Sequence, residues 1–192
     1  MKLNVTEGKP NPLQILYPTP IWLGYLDINK EKLIDLAEWA RTQKWENVGD
    51  TPIFTTRGGE QYITPKPIWE YDYAPGINEL MPQIKQALNE WLVAMTGQTC
   101  YEATPQGSQF VFYEPGGHQW PHWHHSTWTC ILGLRNRGTL LIQDPRPLAT
   151  TNGCVYKEII INPGQLFISP GYLVHSSVPS QDERDILVFT GN

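Results

Sequence analysis

Four of the five histidines in this 192-residue chain lie within eight residues: His118, His122, His124 and His125. The segment reads Tyr113-Glu-Pro-Gly-Gly-His-Gln-Trp-Pro-His122-Trp-His124-His125. In an extended chain, residues i and i+2 face the same way. His122 and His124 can therefore meet one metal ion, while Trp123 and His125 face away. The fifth histidine, His175, ends the run Ile168-Ser-Pro-Gly-Tyr-Leu-Val-His175. Nine residues later comes Arg184, ahead of an apolar run over 186–190. A guanidinium is planar and always charged, so it can hold a carboxylate through two parallel bonds. The ordinary fate of a histidine in a β-rich protein is a surface or satisfied core position, and that is the reading for His118 and His125.

Those side chains need a scaffold, and the character of the chain changes near residue 105. Residues 1–27 read as extended, because Pro10, Pro12, Pro18 and Pro20 block helix, with a strand over 21–26. Leu33, Leu36, Ala37 and Ala40 recur at helical spacing opposite a charged face, which predicts a helix over 30–43 capped by Asp27 or Asn29. A second helix is expected over 79–96, with Leu80, Ile84, Ala87, Leu88, Trp91, Leu92 and Met95 as its apolar stripe. Asn78 would cap it, Pro82 would fall in its first turn, and Gly97 would end it in the left-handed conformation. The stretch 44–75, rich in Thr, Pro, Gly and aromatics, reads as irregular, and as a cover for something. Beyond 105, β-type runs at 108–114, 126–134, 138–143, 155–161, 165–169, 172–178 and 185–190 alternate with Gly/Pro turns. Helices followed by many short strands define an α+β chain, its helices packed on a sandwich or barrel. With no repeat or linker, residues 1–192 read as one domain: an N-terminal part over 1–104 and a core over 105–192.

In that core the chain resembles the 2-oxoglutarate/Fe(II)-dependent oxygenases, in particular their prolyl 4-hydroxylase-like and phage-type branches. Tyr113-Glu-Pro-Gly-Gly followed by Pro121-His122 is similar to the Y-x-P-G … H-x-D segment of the prolyl hydroxylases. Gly138-Thr-Leu-Leu-Ile-Gln-Asp-Pro-Arg146 resembles the G-x-L-x-x-x-D-P-R turn of the phage-type branch. Asn162-Pro-Gly-Gln-Leu-Phe-Ile-Ser-Pro-Gly-Tyr-Leu-Val-His175 resembles the strand pair that ends in the distal histidine. The likeness covers about residues 105–192. It implies a double-stranded β-helix, a jelly-roll barrel of the cupin type, with the two helices as support. It implies Fe(II) held by His122, His124 and His175, and 2-oxoglutarate and O2 as cosubstrates. Arg184 would receive the far carboxylate of 2-oxoglutarate, with Tyr113 hydrogen-bonding the same molecule. The implied activity is hydroxylation of a C–H bond in a primary substrate that the sequence does not name.

The sequence departs from the family pattern where His124 stands in place of the usual Asp. A three-histidine site answers this, as does Asp144 serving as an alternative third ligand, or a site that no longer catalyses. The family's Ser two residues after the arginine is Ile186 here. Two other readings of the scaffold follow: a cupin-like three-His dioxygenase that needs no 2-oxoglutarate, and a non-catalytic jelly-roll binding protein.

Composition bounds the partners. The net charge of −5 and the absence of a basic block argue against a broad nucleic-acid or anionic-membrane surface. No apolar run approaches the roughly 20 residues that span a bilayer, and the first residues lack a signal-peptide pattern. The expected location is the cytoplasm, that of the host if the chain is phage-encoded. Three cysteines without CxxC spacing argue against a disulfide framework or a zinc ribbon, and Cys130 reads as a small core residue.

Overall fold

The computed structural model describes residues 13–16, 19–49, 55–97, 105–145 and 156–192. Its strands are β1 (Leu13–Leu16), β2 (Thr19–Tyr25), β3 (Thr56–Ile63), β4 (Pro105–Gln119), β5 (Trp128–Arg135), β6 (Gly138–Gln143), β7 (Tyr156–Ile161), β8 (Gln165–Pro170), β9 (His175–Ser177) and β10 (Arg184–Gly191). Its helices are α1 (Lys30–Thr42) and α2 (Ile77–Thr96). Seven strands form one sheet in the order β1-β2-β8-β5-β10-β4-β3, and three form a second in the order β7-β6-β9. Every strand pair is antiparallel. The chain is thus α+β, with the jelly-roll form of a double-stranded β-helix and two supporting helices.

The period-2 alternation of the strands creates two cores. One lies between the sheets, where Val111, Tyr113, Ile131, Ile186 and Val188 of the large sheet meet Leu140, Ile142, Ile159 and Ile161 of the small one. The other lies between the large sheet and the helices, where Phe110, Phe112, Leu187 and Phe189 meet Leu33, Leu36, Leu88 and Trp91. Burying each such side chain contributes about 1.5–3 kcal/mol relative to exposure. Consecutive residues of β10 therefore belong to different compartments: Ile186 and Val188 to the barrel, Leu187 and Phe189 to the helix layer.

The helices follow the sequence pattern in the main. Leu33, Leu36, Ala37 and Ala40 are the buried face of α1, and Asn29 caps it by accepting from Glu31 N. Gly97 ends α2 with φ 70° and donates its N–H to Val93 O. The start of α2 differs from expectation. Gly76, left-handed at φ 70°, precedes the first helical residue Ile77, and Asn78 lies inside the first turn instead of capping it. Asn78 Nδ2 donates instead to Asp72 O at 3.2 Å. Pro82 consequently falls in the second turn, where the helix forgoes the bond from residue 82 to the Asn78 carbonyl.

The stretch 44–75 is not wholly irregular. It contains β3 and a 3-10 turn at Ile68–Glu70. β3 is an edge strand with two glycines and mixed polarity, so pairing with β4 creates it more than its own propensity does. The predicted run at 172–178 shortens to His175–Ser177. Cys130 is free and fully buried. Cys100, Cys154, Arg146 and most of the segment 145–157 lie outside the described residues. Among the described residues no helix is long and apolar enough to cross a membrane.

Candidate metal centre

The segment after β4 turns across the mouth of the barrel and is stitched to the loop before β9. His122 N donates to His175 O and His175 N donates to His122 O, each at 2.9 Å. His124 N donates to Gly171 O at 2.9 Å. Gly171 has to be glycine on grounds of space, since a Cβ there would lie 1.9 Å from the Ser126 carbonyl oxygen.

This main-chain frame brings the three rings together. Ring centroids are 4.5 Å apart for His122 and His175, 5.2 Å for His122 and His124, and 5.3 Å for His124 and His175. One nitrogen from each ring lies within 4.8 Å of the others, so the three could hold a metal ion. Trp123 and His125 stay out of the three-ring cluster and pair with each other, with centroids 4.1 Å apart, yet both line the same cavity as the cluster, so the strict alternation of an extended strand is not kept here. Asp144, just beyond the end of β6, is not part of this cluster. His118 is held apart from it, between Gly116 O and the Trp120 indole N–H.

Second partners fix the tautomers of two of the rings. His122 Nδ1 donates to Trp120 O at 2.8 Å, and His175 Nδ1 donates to Leu173 O at 2.9 Å. Each ring then presents its lone pair on Nε2, which is the form that binds a divalent cation. Burial pushes His175 down to about 3, with His122 and His124 adding to the shift. Burial and His122 push His124 down to about 4. His122 is lowered by burial against the pull of the Trp120 carbonyl. All three imidazoles are neutral at pH 7 and available as ligands. The donor set is all nitrogen, a chemistry suited to iron, zinc, copper or nickel.

A cavity of about 320 Å³ opens beside the rings, floored by Ile131 and Val188 and walled on one side by Gln61, Gln109 and Gln119. Trp123 lines its rim, Trp120 stands near, and both are about half exposed, whereas Trp128 is fully buried.

Arg184 is 1 % exposed. It lies in the barrel compartment on β10, paired with Tyr113 on β4, its guanidinium carbon 5.3 Å from the centre of the Tyr113 ring. It does not line the cavity. Ile186 separates it from Val188, a strand distance of roughly 13 Å. Among the described residues, Arg184 Nε and Nη2 and the buried Tyr113 hydroxyl meet no geometric hydrogen-bond partner. Burial lowers the arginine's pKa against the influence of Tyr113. Burial also raises the Tyr113 phenol, opposed by the charge of Arg184 and by the neighbouring Ser177 hydroxyl. The space for the guanidinium exists because residue 138 has no side chain: a Cβ on Gly138 would lie 2.1 Å from Arg184 Nε. A buried cation without a partner is costly, and a carboxylate is the group that completes it. The residues present therefore fit a metal at the three histidines and a carboxylate at Arg184.

At the level of fold, these features define a 2-oxoglutarate/Fe(II) oxygenase-like double-stranded β-helix. The solved structure of OsALKBH1 matches with a TM-score of 0.64 at 13 % identity, over 94 % of this chain and 100 % of that one. A prolyl-4-hydroxylase from Pseudomonas putida matches at 0.58 and 16 %, over 90 % of this chain and 92 % of that one. The non-haem α-ketoglutarate-dependent epimerase SnoN of nogalamycin biosynthesis matches at 0.56 and 11 %, over 89 % and 78 %. The sequence itself matches no protein-family profile and no curated protein. Identities this low establish the shared fold alone.

Sequence reasoning missed Gln61 and Thr56, because it read β3 as loop. It also gave no role to Gly138 beyond a motif position. The signal for Gly138 lay in its place at the start of a strand, where glycine is ordinarily unfavourable unless another group needs the room.

Proposed function

We propose that this chain is a non-haem iron(II) dioxygenase that couples oxidative decarboxylation of 2-oxoglutarate to hydroxylation of a substrate C–H bond. His122, His124 and His175 would hold the metal, and Arg184 with Tyr113 would receive the distal carboxylate of the cosubstrate. One observation carries the reading: a fully buried arginine with unpartnered Nε and Nη2, inside the same barrel that brings three neutral histidines together.

The bound metal and cosubstrate supply the oxidising power: O2 and 2-oxoglutarate yield succinate and CO2 as one oxygen atom enters the substrate C–H bond. The protein's residues supply position. The Trp120 and Leu173 carbonyls hold His122 and His175 as Nε2 ligands. Gly138 leaves room for the guanidinium. Ile131, Val188 and Ile186 give the site dry walls, which strengthen the charge pairing at Arg184.

The all-imidazole donor set favours one rival, a three-His dioxygenase that uses no 2-oxoglutarate. That rival leaves the buried charge of Arg184 without a purpose. Anaerobic Fe(II) titration with and without 2-oxoglutarate separates them. The proposal expects a weak visible charge-transfer band that needs both components and vanishes in Arg184→Ala and His175→Ala. Iron binding without the band would favour the rival. No iron binding at all would leave a jelly-roll binding protein.

A further inference from the structure

The cavity beside the histidines has a wall that the metal and cosubstrate chemistry does not use. Gln119 Nε2 donates to Thr56 Oγ1 at 3.1 Å, and the Thr56 hydroxyl donates to Gln61 Oε1 at 2.6 Å. Gln61 Nε2 in turn donates to Gln109 Oε1. Thr56, Gln61 and Gln119 are buried. Each bond fixes which way the next amide faces, so the relay has a direction. It starts from Gln119 Oε1, an acceptor, and ends at Gln109 Nε2, a donor. Among the described residues neither atom has a protein partner, and both residues line the cavity.

Among the described residues the remaining lining is Thr55, the imidazoles of His122, His124, His125 and His175, Trp123, Ile131 and Val188, with no Asp, Glu, Lys or Arg. An ionised group seated against the glutamine wall would lose its water without gaining a counter-charge from the side chains there. A purely apolar group would strip water from the Gln109 donor and the Gln119 acceptor and leave both unpaired. A neutral group that carries both an acceptor and an N–H donor satisfies both ends of the relay.

We propose that Gln109 and Gln119 form the recognition site for the primary substrate, and that this substrate is of the uncharged carboxamide class. Its carbonyl accepts from Gln109 Nε2 and its N–H donates to Gln119 Oε1. Recognition on this wall presents the C–H bonds next to the amide to the three histidines across the same cavity. The inference rests on the oxygenase reading above. Binding of Fe(II) and 2-oxoglutarate is therefore measured first, and its failure would count against that reading, not against the wall.

The test uses the full chain loaded with Fe(II), and succinate formation as readout. The probes are N-acetyl amino-acid amides covering every side chain, each beside its free acid and its methyl ester, together with uridine and inosine. The expected result is that at least one amide stimulates succinate formation on the order of tenfold or more over its acid and ester. In Gln109→Leu and Gln119→Leu that preference should disappear while the anaerobic Fe(II)/2-oxoglutarate band persists. Acids, esters or nucleosides that match or exceed the amides would overturn the proposal, as would silence from the whole amide set. Retention of the amide preference in both variants would overturn it as well. The amide-to-ester comparison in the unaltered protein stands even if a variant fails to fold.

Discussion

His122 and His175 exchange both of their backbone hydrogen bonds, at 2.9 Å each, on an isolated bridge between the segment after β4 and the first residue of β9. The two side chains that approach most closely in the cluster are thus positioned by main chain, not by their own packing. Substituting either ring leaves the bridge intact, so the frame should survive loss of a ligand. His175→Ala is expected to weaken Fe(II) binding by about 100-fold or more, since even outer partners of a metal site cost 10–100-fold. Loss of iron-dependent thermal stabilisation, with an unchanged circular dichroism spectrum, is the measurement that checks this.

His124→Asp replaces a neutral ligand by an anionic one and lowers the net charge of a loaded site by one. Iron affinity should hold or rise in this variant and fall in His124→Ala. Competition titration against a colorimetric Fe(II) chelator decides the point. Equal affinity in all three proteins would remove His124 from the ligand set.

The pH dependence of the metal-free protein has a definite sign. The folded-state values of about 3 for His175 and about 4 for His124 lie below the unfolded value near 6.5. Between those limits the unfolded chain binds more protons than the folded one, so stability falls as pH drops from about 6.5 toward 4. Melting temperatures of metal-free protein should decline across that window. His175→Asn should decline less steeply, and a parallel decline in the two would contradict the assignment.

Gly138→Ala should push the guanidinium of Arg184 from its place. The expected outcome is a loss of 2-oxoglutarate affinity on the order of tenfold or more, the worth of a hydrogen bond to a charged group, with Fe(II) affinity unchanged. Calorimetric titration of each ligand in turn would show the split. Equal loss of both would point to general unfolding instead.

Asp185 is fully buried and bridges Arg41 of α1 at 2.8 Å and Arg135 of β5 at 3.3 Å. Removing the charge with Asp185→Asn should destabilise the fold by about 2 kcal/mol, less than the ~3–5 kcal/mol of a fully buried pair because both arginines reach solvent. The denaturant midpoint should move while the iron affinity does not.

Much of this was legible in the chain. The i, i+2 histidine pair, the distal His175 and the apolar runs of the core carry strong periodic signals, and the strands appear where those runs lie. Arg184 was legible only through its spacing from His175, because it sits in Gln181-Asp-Glu-Arg-Asp185, which by composition is a solvated turn. β3 was not legible. Its Arg57-Gly-Gly-Glu60 sequence has no alternation to read, and its partner strand imposes its extended form. The relay through Thr56 and Gln61 was lost with it, since uncharged polar side chains show no pattern until the strand that aligns them is known. The start of α2 was misplaced because a left-handed glycine, not a side-chain cap, begins it.

Arg184 and Asp185 are neighbours on β10, yet one charge serves the barrel and the other the helix layer. That pairing guards the strand against threading one residue out of step. A one-residue slip would drive a third cation into the layer that already holds Arg41 and Arg135, and a lone carboxylate into the apolar interior beside Tyr113. Both errors are electrostatically prohibitive, whereas the apolar residues of β10 would be nearly indifferent to the swap, being bulky on both faces. Adjacent opposite charges thus act as an alignment key, and the same key that folds the strand correctly also delivers Arg184 to its buried place beside Tyr113.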